Sequence, residues 1–245
     1  MTRLLGAAAL LATLAGPAAA QAAPTYDRYS LLWLAWFGDH RVAPGLAVVG
    51  DAQLRTVDFG GEMQQLLLRA GVLADVGPGV RAGGGYAYVR SYDYGEFTPD
   101  GEVPEHRLWQ QLNLSHRSNQ VAFLHRFRLE QRWLDLPNDA DEDDWQFQWR
   151  VRYLFRTTVP LAGSPDTRGH LYGIAADEVF IKFGASQPTN LLDQNRLNLG
   201  LGVALAKTVK LEVTYFNLQL LRGDGSRREV GNGLAVGLVS TGSLR

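Results

Sequence analysis

Apolar positions recur every second residue from Ser30 onward, and no long stretch carries the 3.6-residue period of an amphipathic helix. Residues 145–156 are the clearest case. Trp145, Phe147, Trp149, Val151, Tyr153 and Phe155 alternate there with Gln146, Gln148, Arg150, Arg152 and Arg156. Residues 120–134 set Val121, Phe123, Phe127, Leu129 and Trp133 against Arg126, Arg128, Glu130 and Arg132. Residues 105–117 set Leu108, Leu112 and Leu114 against Glu105, Arg107, Gln111 and Asn113. Further alternating segments at 30–41, 46–57, 63–74, 80–91, 170–183, 196–206, 208–221 and 229–239 bring the count to about eleven strands.

A period of two places alternate residues on opposite faces, so one face is apolar and the other rich in Arg, Glu, Gln and Asn. The strands run about 10–15 residues, where ordinary globular strands average about five or six. A tilted strand crossing a hydrocarbon layer needs about 9–11. Aromatic residues near strand ends, at Trp33, Trp36, Tyr92, Tyr94, Trp133 and Trp145, suit interfacial girdles. Connections alternate between short (76–79, 118–119, 206–207) and long (93–104, 135–144, 184–195, 223–228), with 162–169 intermediate. The pattern predicts an all-β fold: a single antiparallel transmembrane β-barrel of about 10–12 strands with a polar lumen. Two features strain that expectation. Bacterial single-chain barrels have even strand numbers, and the chain ends Ser243-Leu244-Arg245 rather than on an aromatic residue.

Composition narrows the partners. The chain has 245 residues, 24 Lys+Arg against 25 Asp+Glu, and no cysteine. A net charge of −1 leaves no electrostatic footprint for nucleic acid. The lack of cysteine removes disulfides, thiolate metal sites and cysteine nucleophiles together. At the N-terminus, Arg3 precedes an apolar stretch over 4–15, a Gly16-Pro17 break and the small residues Ala18-Ala19-Ala20. This reads as a cleaved signal peptide over about residues 1–23, followed by a barrel domain over 24–245. The expected location is the cell outer membrane, with its lipids as partners.

Several runs resemble the domain-of-unknown-function 2490 family. They are Gly83-Gly84-Gly85-Tyr86-Ala87-Tyr88-Val89-Arg90, Glu105-His106-Arg107-Leu108-Trp109-Gln110-Gln111 and Arg126-Phe127-Arg128-Leu129-Glu130-Gln131-Arg132. Asp51-Ala52-Gln53-Leu54-Arg55 and Asp177-Glu178-Val179-Phe180-Ile181-Lys182-Phe183 are similar to it too. The resemblance implies an exported outer-membrane β-barrel. It carries no established activity, and so no catalytic residue.

The candidate lumen-lining residues are Glu105, Arg107, Gln111, Arg126, Arg128, Glu130, Arg132, Arg150, Arg152 and Arg156. They lie on three successive strands, which hairpin pairing brings together. A lattice of Arg and Glu is the expected filling of a narrow barrel, because an unpaired buried charge is costly. The same arginines would favour a small anionic solute if a path were open, with Asp51, Glu62, Asp177 and Glu178 as offsetting acids. The expected function is a structural or passive small-solute barrel, anion-preferring, with no cofactor, metal or catalytic residue. The alternatives are a lipid-modifying outer-membrane enzyme and a soluble periplasmic lipocalin-like binder. Five histidines are present, but no GxSxG, HExxH or phosphate-loop motif. Ser115 and His116 are adjacent and so fall on opposite faces. The Gly83–Gly85 run reads as room for a large facing side chain, and the acidic 136–144 stretch as a solvated loop.

Overall fold

Strand pairing closes the alternating segments into one barrel. A computed structural model of the chain describes residues 24–136, 145–165, 167–184, 191–222 and 226–243. The signal-peptide assignment over 1–23 and the acidic stretch 137–144 lie outside the described residues. The strands are β1 (Thr25–Ala43), β2 (Leu46–Val57), β3 (Glu62–Gly77), β4 (Val80–Ser91), β5 (Val103–Ser118) and β6 (Val121–Asp135). They continue as β7 (Trp145–Ala162), β8 (Leu171–Phe183), β9 (Leu192–Ala206), β10 (Val209–Arg222) and β11 (Arg227–Ser243). Among the described residues no helix is long and apolar enough to cross a membrane.

Each strand pairs antiparallel with its chain neighbour, and β1 closes on β11 in parallel, from Thr25↔Arg227 to Arg41↔Ser243. The count of about eleven strands in an antiparallel barrel holds, with one parallel pair at the closure. Every hairpin reverses direction, so eleven strands leave the first and last pointing the same way, and closure must be parallel. The start of β1 and the end of β11 therefore lie at opposite ends. The Thr25 amide donates to the Ser226 carbonyl beside the β10–β11 connection, and the Thr241 amide to Thr208 beside the β9–β10 turn. We call these the long-connection end and the short-turn end. The tight turns suit their backbones: Gly79 adopts φ 69°, where a Cβ would sit 2.3 Å from the Ser115 carbonyl oxygen.

The faces separate as the period of two dictates. Outside stand Leu34, Val48, Leu68, Leu108, Leu112, Phe127, Leu197, Leu199, Leu201 and Leu234, all exposed. Inside, the arginine-rich face combines with two apolar clusters. One is Leu31, Trp33, Val57, Tyr94, Phe216 and Leu218, and the other Leu73, Ala87 and Trp109. Trp33 and Tyr94 thus leave the predicted aromatic girdles. Trp33 shares the inward parity of Leu31, and Tyr94 folds in from the β4–β5 connection.

Of the six register shifts between neighbouring strands, two lie near the long-connection end. The β2–β3 register shifts between Arg55 and Thr56, leaving Gln64 as the extra residue, and Gln64 is buried. The β8–β9 register shifts between Phe180 and Ile181, leaving Asp193 extra, and Asp193 contacts Arg150 and Lys182. A bulge adds an unpaired residue and re-aims its side chain. Both of these add a polar group to the interior near the long-connection end.

Candidate functional site

Cross-strand pairing on the inward face sets like charges opposite one another: Arg107↔Arg132, Arg128↔Arg152 and Arg150↔Lys182. Such pairs repel, and bridging carboxylates offset the repulsion. Glu105 takes both Arg107 and Arg132, with Arg107 Nη2 at 2.8 Å and Arg132 Nη2 at 2.9 Å from its Oε2. Glu130 takes Arg150 Nη2 at 2.6 Å and Arg152 Nη1 at 2.8 Å. Glu178 takes Arg152 Nη2 at 2.7 Å and Arg126 Nη2 at 2.9 Å. The result is a continuous chain, Arg150–Glu130–Arg152–Glu178–Arg126. Arg128 reaches it at Glu130, 3.9 Å away, while its Nε donates to Gln111 Oε1 at 2.8 Å and its guanidinium stacks over the Trp109 ring at 5.2 Å.

Nine of the ten predicted residues fall in this chain with its Arg128–Gln111 branch or in the Glu105–Arg107–Arg132 group beside it. The tenth, Arg156, stands apart near the short-turn end. It pairs there with Glu212 at 2.7 Å, and the Tyr172 hydroxyl donates to the same carboxylate. Of the offsetting acids, Glu178 is in the lattice and Asp51 pairs with Arg69 at 2.8 Å. Glu62 and Asp177 are exposed. Asp177 faces outward because it is adjacent to Glu178 in a strand, and it accepts from Asn195 Nδ2 at 2.8 Å.

The glycine run on β4 makes room for one ring. A Cβ on Gly71 would come within 2.4 Å of the Trp109 indole, and one on Gly85 within 2.8 Å. Trp109, on the polar face of β5, therefore fills the barrel beside the lattice and is 1% exposed. Glu130 and Phe216 are 0% exposed and Phe180 2%. Ion pairs and rings thus pack against one another inside the barrel, Arg128 over Trp109 and Arg152 over Phe180.

Above the lattice, toward the long-connection end, lies a chamber of about 240 Å³. Trp33, Arg55, Gln64, Arg132, Gln194 and Arg196 are in its wall, and Tyr94, Thr98 and Pro99 of the β4–β5 connection contribute to its lining. A separate cavity of about 180 Å³ near the short-turn end, around Arg156, His170 and Glu212, shares no lining residue with it. The connection is anchored. The Tyr94 hydroxyl donates to Glu229 at 3.1 Å, the Glu96 amide to Asp27 at 2.9 Å, and Thr98 Oγ1 to the Tyr94 carbonyl at 2.6 Å. Burial, and then the Glu229 carboxylate, push the Tyr94 phenol up to about 12.

Sequence reasoning missed Arg55, Asp193, Gln194 and Arg196 as members of one site. Each lies on a strand remote in sequence from β5–β7, and bulge positions leave no mark in the alternation.

The histidines are dispersed. His116 and His125 stack at 5.6 Å in an aromatic group with Phe123 and Phe155, and His106 packs with Tyr86, Tyr88 and Trp145. One Ser–His contact does occur, across the β1–β11 seam. His40 Nε2 and the Ser240 hydroxyl lie 3.0 Å apart, and Trp36 Nε1 also donates to Ser240. Among the described residues no carboxylate hydrogen-bonds His40. Nor does any cluster of three or more His, Asp or Glu among them have the arrangement of a metal site.

Fold and interior define the class: a closed β-barrel, apolar without and charged within. The chain belongs to the DUF2490 family of proteins of unknown function, whose model matches residues 31–229. It has no significant match among curated proteins or among solved structures.

Proposed function

We propose that the protein is a β-barrel of the Gram-negative outer membrane that holds a blind cationic chamber, closed beneath by the ion-pair lattice. The observation that carries the proposal is the inversion of faces in a closed sheet. Leu197, Leu199 and Leu201 stand exposed in a row on β9, while Glu130, Arg128 and Arg152 are buried inside. In water an apolar belt of this kind drives aggregation, whereas in lipid it is the expected outer surface of a barrel. A soluble lipocalin-like binder would need the opposite arrangement. A passive pore would need a continuous path, and the buried layer of Glu130, Trp109, Phe180 and Phe216 favours a structural or solute-binding barrel instead.

Fractionation of expressing cells tests the location. The protein is expected with the outer membranes, extracted only by detergent, and migrating differently on gels before and after boiling. Recovery as a soluble monomer without detergent overturns the reading. In planar bilayers no stepwise conductance is expected; a steady anion-preferring conductance would make the protein a pore.

A lipid hydrolase is the second reading, and it rests on the Ser240–His40 contact alone. A serine nucleophile needs an adjacent base, and the base an orienting group. Hydrolysis of phospholipid by the purified barrel, abolished by Ser240→Ala, would establish it.

A further inference from the structure

We infer that the chamber is a binding site for a small free oxyanion, a carboxylate or phosphate, held between Arg55, Gln194 and Arg196. The inference rests on the barrel reading above and assigns the ligand class and the residues that take it.

Most cations of the chamber wall already have a carboxylate. Arg107 and Arg132 share Glu105, Arg150 has Glu130, Arg152 has Glu178, Lys182 has Asp193 and Arg222 has Glu229. Two cations are left over. Arg55 has no carboxylate within 4 Å among the described residues, and its guanidinium donates only to the amide oxygens of Gln53 and Gln65, at 2.7 and 2.8 Å. Among the carboxylates of the described residues Arg196 approaches only Glu178, at 3.9 Å. Two buried donors on β9 are also unmet: Gln194 Nε2, on a side chain 8% exposed, and Arg196 Nε. Buried donors are nearly always satisfied, so an unmet pair beside two under-compensated cations marks a missing acceptor.

The geometry is pre-set. Trp33 lies directly opposite Arg55 on the β1–β2 ladder, and both guanidiniums lie over its indole, Arg55 at 4.2 Å and Arg196 at 4.6 Å from the ring centroid. The indole is itself held, since its Nε1 donates to Gln64 Oε1 at 3.1 Å. Guanidinium presents only donors, in a planar fork that matches carboxylate and phosphate. A chamber of about 240 Å³ admits a ligand of a few heavy atoms with some water. The wall is a closed, hydrogen-bonded sheet, so a lipid headgroup has no lateral way in, and a free anion is the fitting occupant.

Isothermal titration of the detergent-purified full chain with inorganic phosphate, and separately with succinate, tests this against chloride at matched ionic strength. Saturable binding of phosphate or succinate, with none for chloride, is expected. Arg55→Gln and Arg196→Gln should each weaken it about tenfold or more. Arg90→Gln, which removes a pair with Glu102 away from the chamber, should leave it unchanged. Gln194→Glu sets a carboxylate where the anion would sit, so binding should vanish while heat-modifiable migration shows the barrel still folded. No saturable binding, or binding indifferent to Arg55→Gln and Gln194→Glu, overturns the inference. So does binding seen only with micelles containing phosphatidylglycerol, which would assign a lipid headgroup. A chain that behaves as a membrane barrel but takes up no anion overturns this inference alone. A chain recovered as a soluble protein overturns the membrane reading and leaves the chamber open to the same titration.

Discussion

A carboxylate that bridges two arginines is the repeating unit of this interior. Glu130 is the most enclosed, at 0% exposure, with Arg150 and Arg152 both on it. Replacing it with the near-isosteric amide keeps the shape but removes the charge both guanidiniums were ordered around. Breaking a buried pair from one side costs about 3–5 kcal/mol. Glu130→Gln should therefore lower the unfolding free energy by an amount in that range, read as a fall in the urea midpoint from heat-modifiable migration across a denaturant series. A loss below about 1 kcal/mol would mean that Asp193 and Glu178, the arginines' other partners, suffice. Glycine plays the complementary part. Gly71 and Gly85 carry no Cβ where the Trp109 ring passes, so an aromatic side chain occupies what would otherwise be a void beside the lattice.

Among the elements, the β4–β5 connection has the clearest task. It brings Tyr94, Thr98 and Pro99 to the chamber and pins Tyr94 to Glu229. A phenol held up to about 12 by burial and a neighbouring carboxylate makes this anchorage sensitive to alkali. Its folded pKa lies above the ordinary value of 10.0, so its contribution is complete below pH 10 and declines from there. It is gone above about pH 12, a loss of roughly 2–3 kcal/mol across the window. Thermal unfolding between pH 9 and pH 12 should show that decline in the parent chain. Tyr94→Phe should lower the midpoint at pH 9, through the lost hydrogen bond, and flatten the decline above pH 10. An identical slope in both chains would place the alkaline sensitivity elsewhere. The bulges act on the same end: Gln64 steadies Trp33, and Asp193 pairs with Lys182 and Arg150.

At the scale of the whole molecule, parity governs. Eleven strands force one parallel seam, with the start of β1 and the end of β11 at opposite ends of the barrel. The chain has no cysteine, so the seam can be probed without background. Leu32 and Leu234 are direct partners in the β1–β11 register. Leu32→Cys with Leu234→Cys should cross-link on mild oxidation, since neighbouring strands lie about 4.7–4.9 Å apart. The closed loop would shift migration even after boiling, until reductant is added. Leu34→Cys with Leu234→Cys, one register step away, should cross-link less. Equal yields, or none for the direct pair, would exclude this closure.

Much of the architecture was legible in the chain. Alternation over 145–156 and 120–134 assigns strand and gathers most apolar side chains on one face, and the length of the strands points that face outward. The approximate strand count and the arginine face of β5–β7 follow from the alternation, and the apolar exterior from alternation and strand length together. Alternation reports parity within one strand, however, and nothing about what stands across the barrel. That Glu178 completes the Arg126–Arg152 bridge, that Trp109 fills the space over Gly71 and Gly85, and that Arg55 and Arg196 meet over Trp33 depend on closure and register. So does the fate of Asp177 and Glu178, adjacent acids of which one faces out and the other holds the lattice. Pattern along the chain determined which residues share a face. Only the closed sheet decided which charges neutralise one another, and that Arg55 and Arg196 are the least compensated cations of the chamber wall.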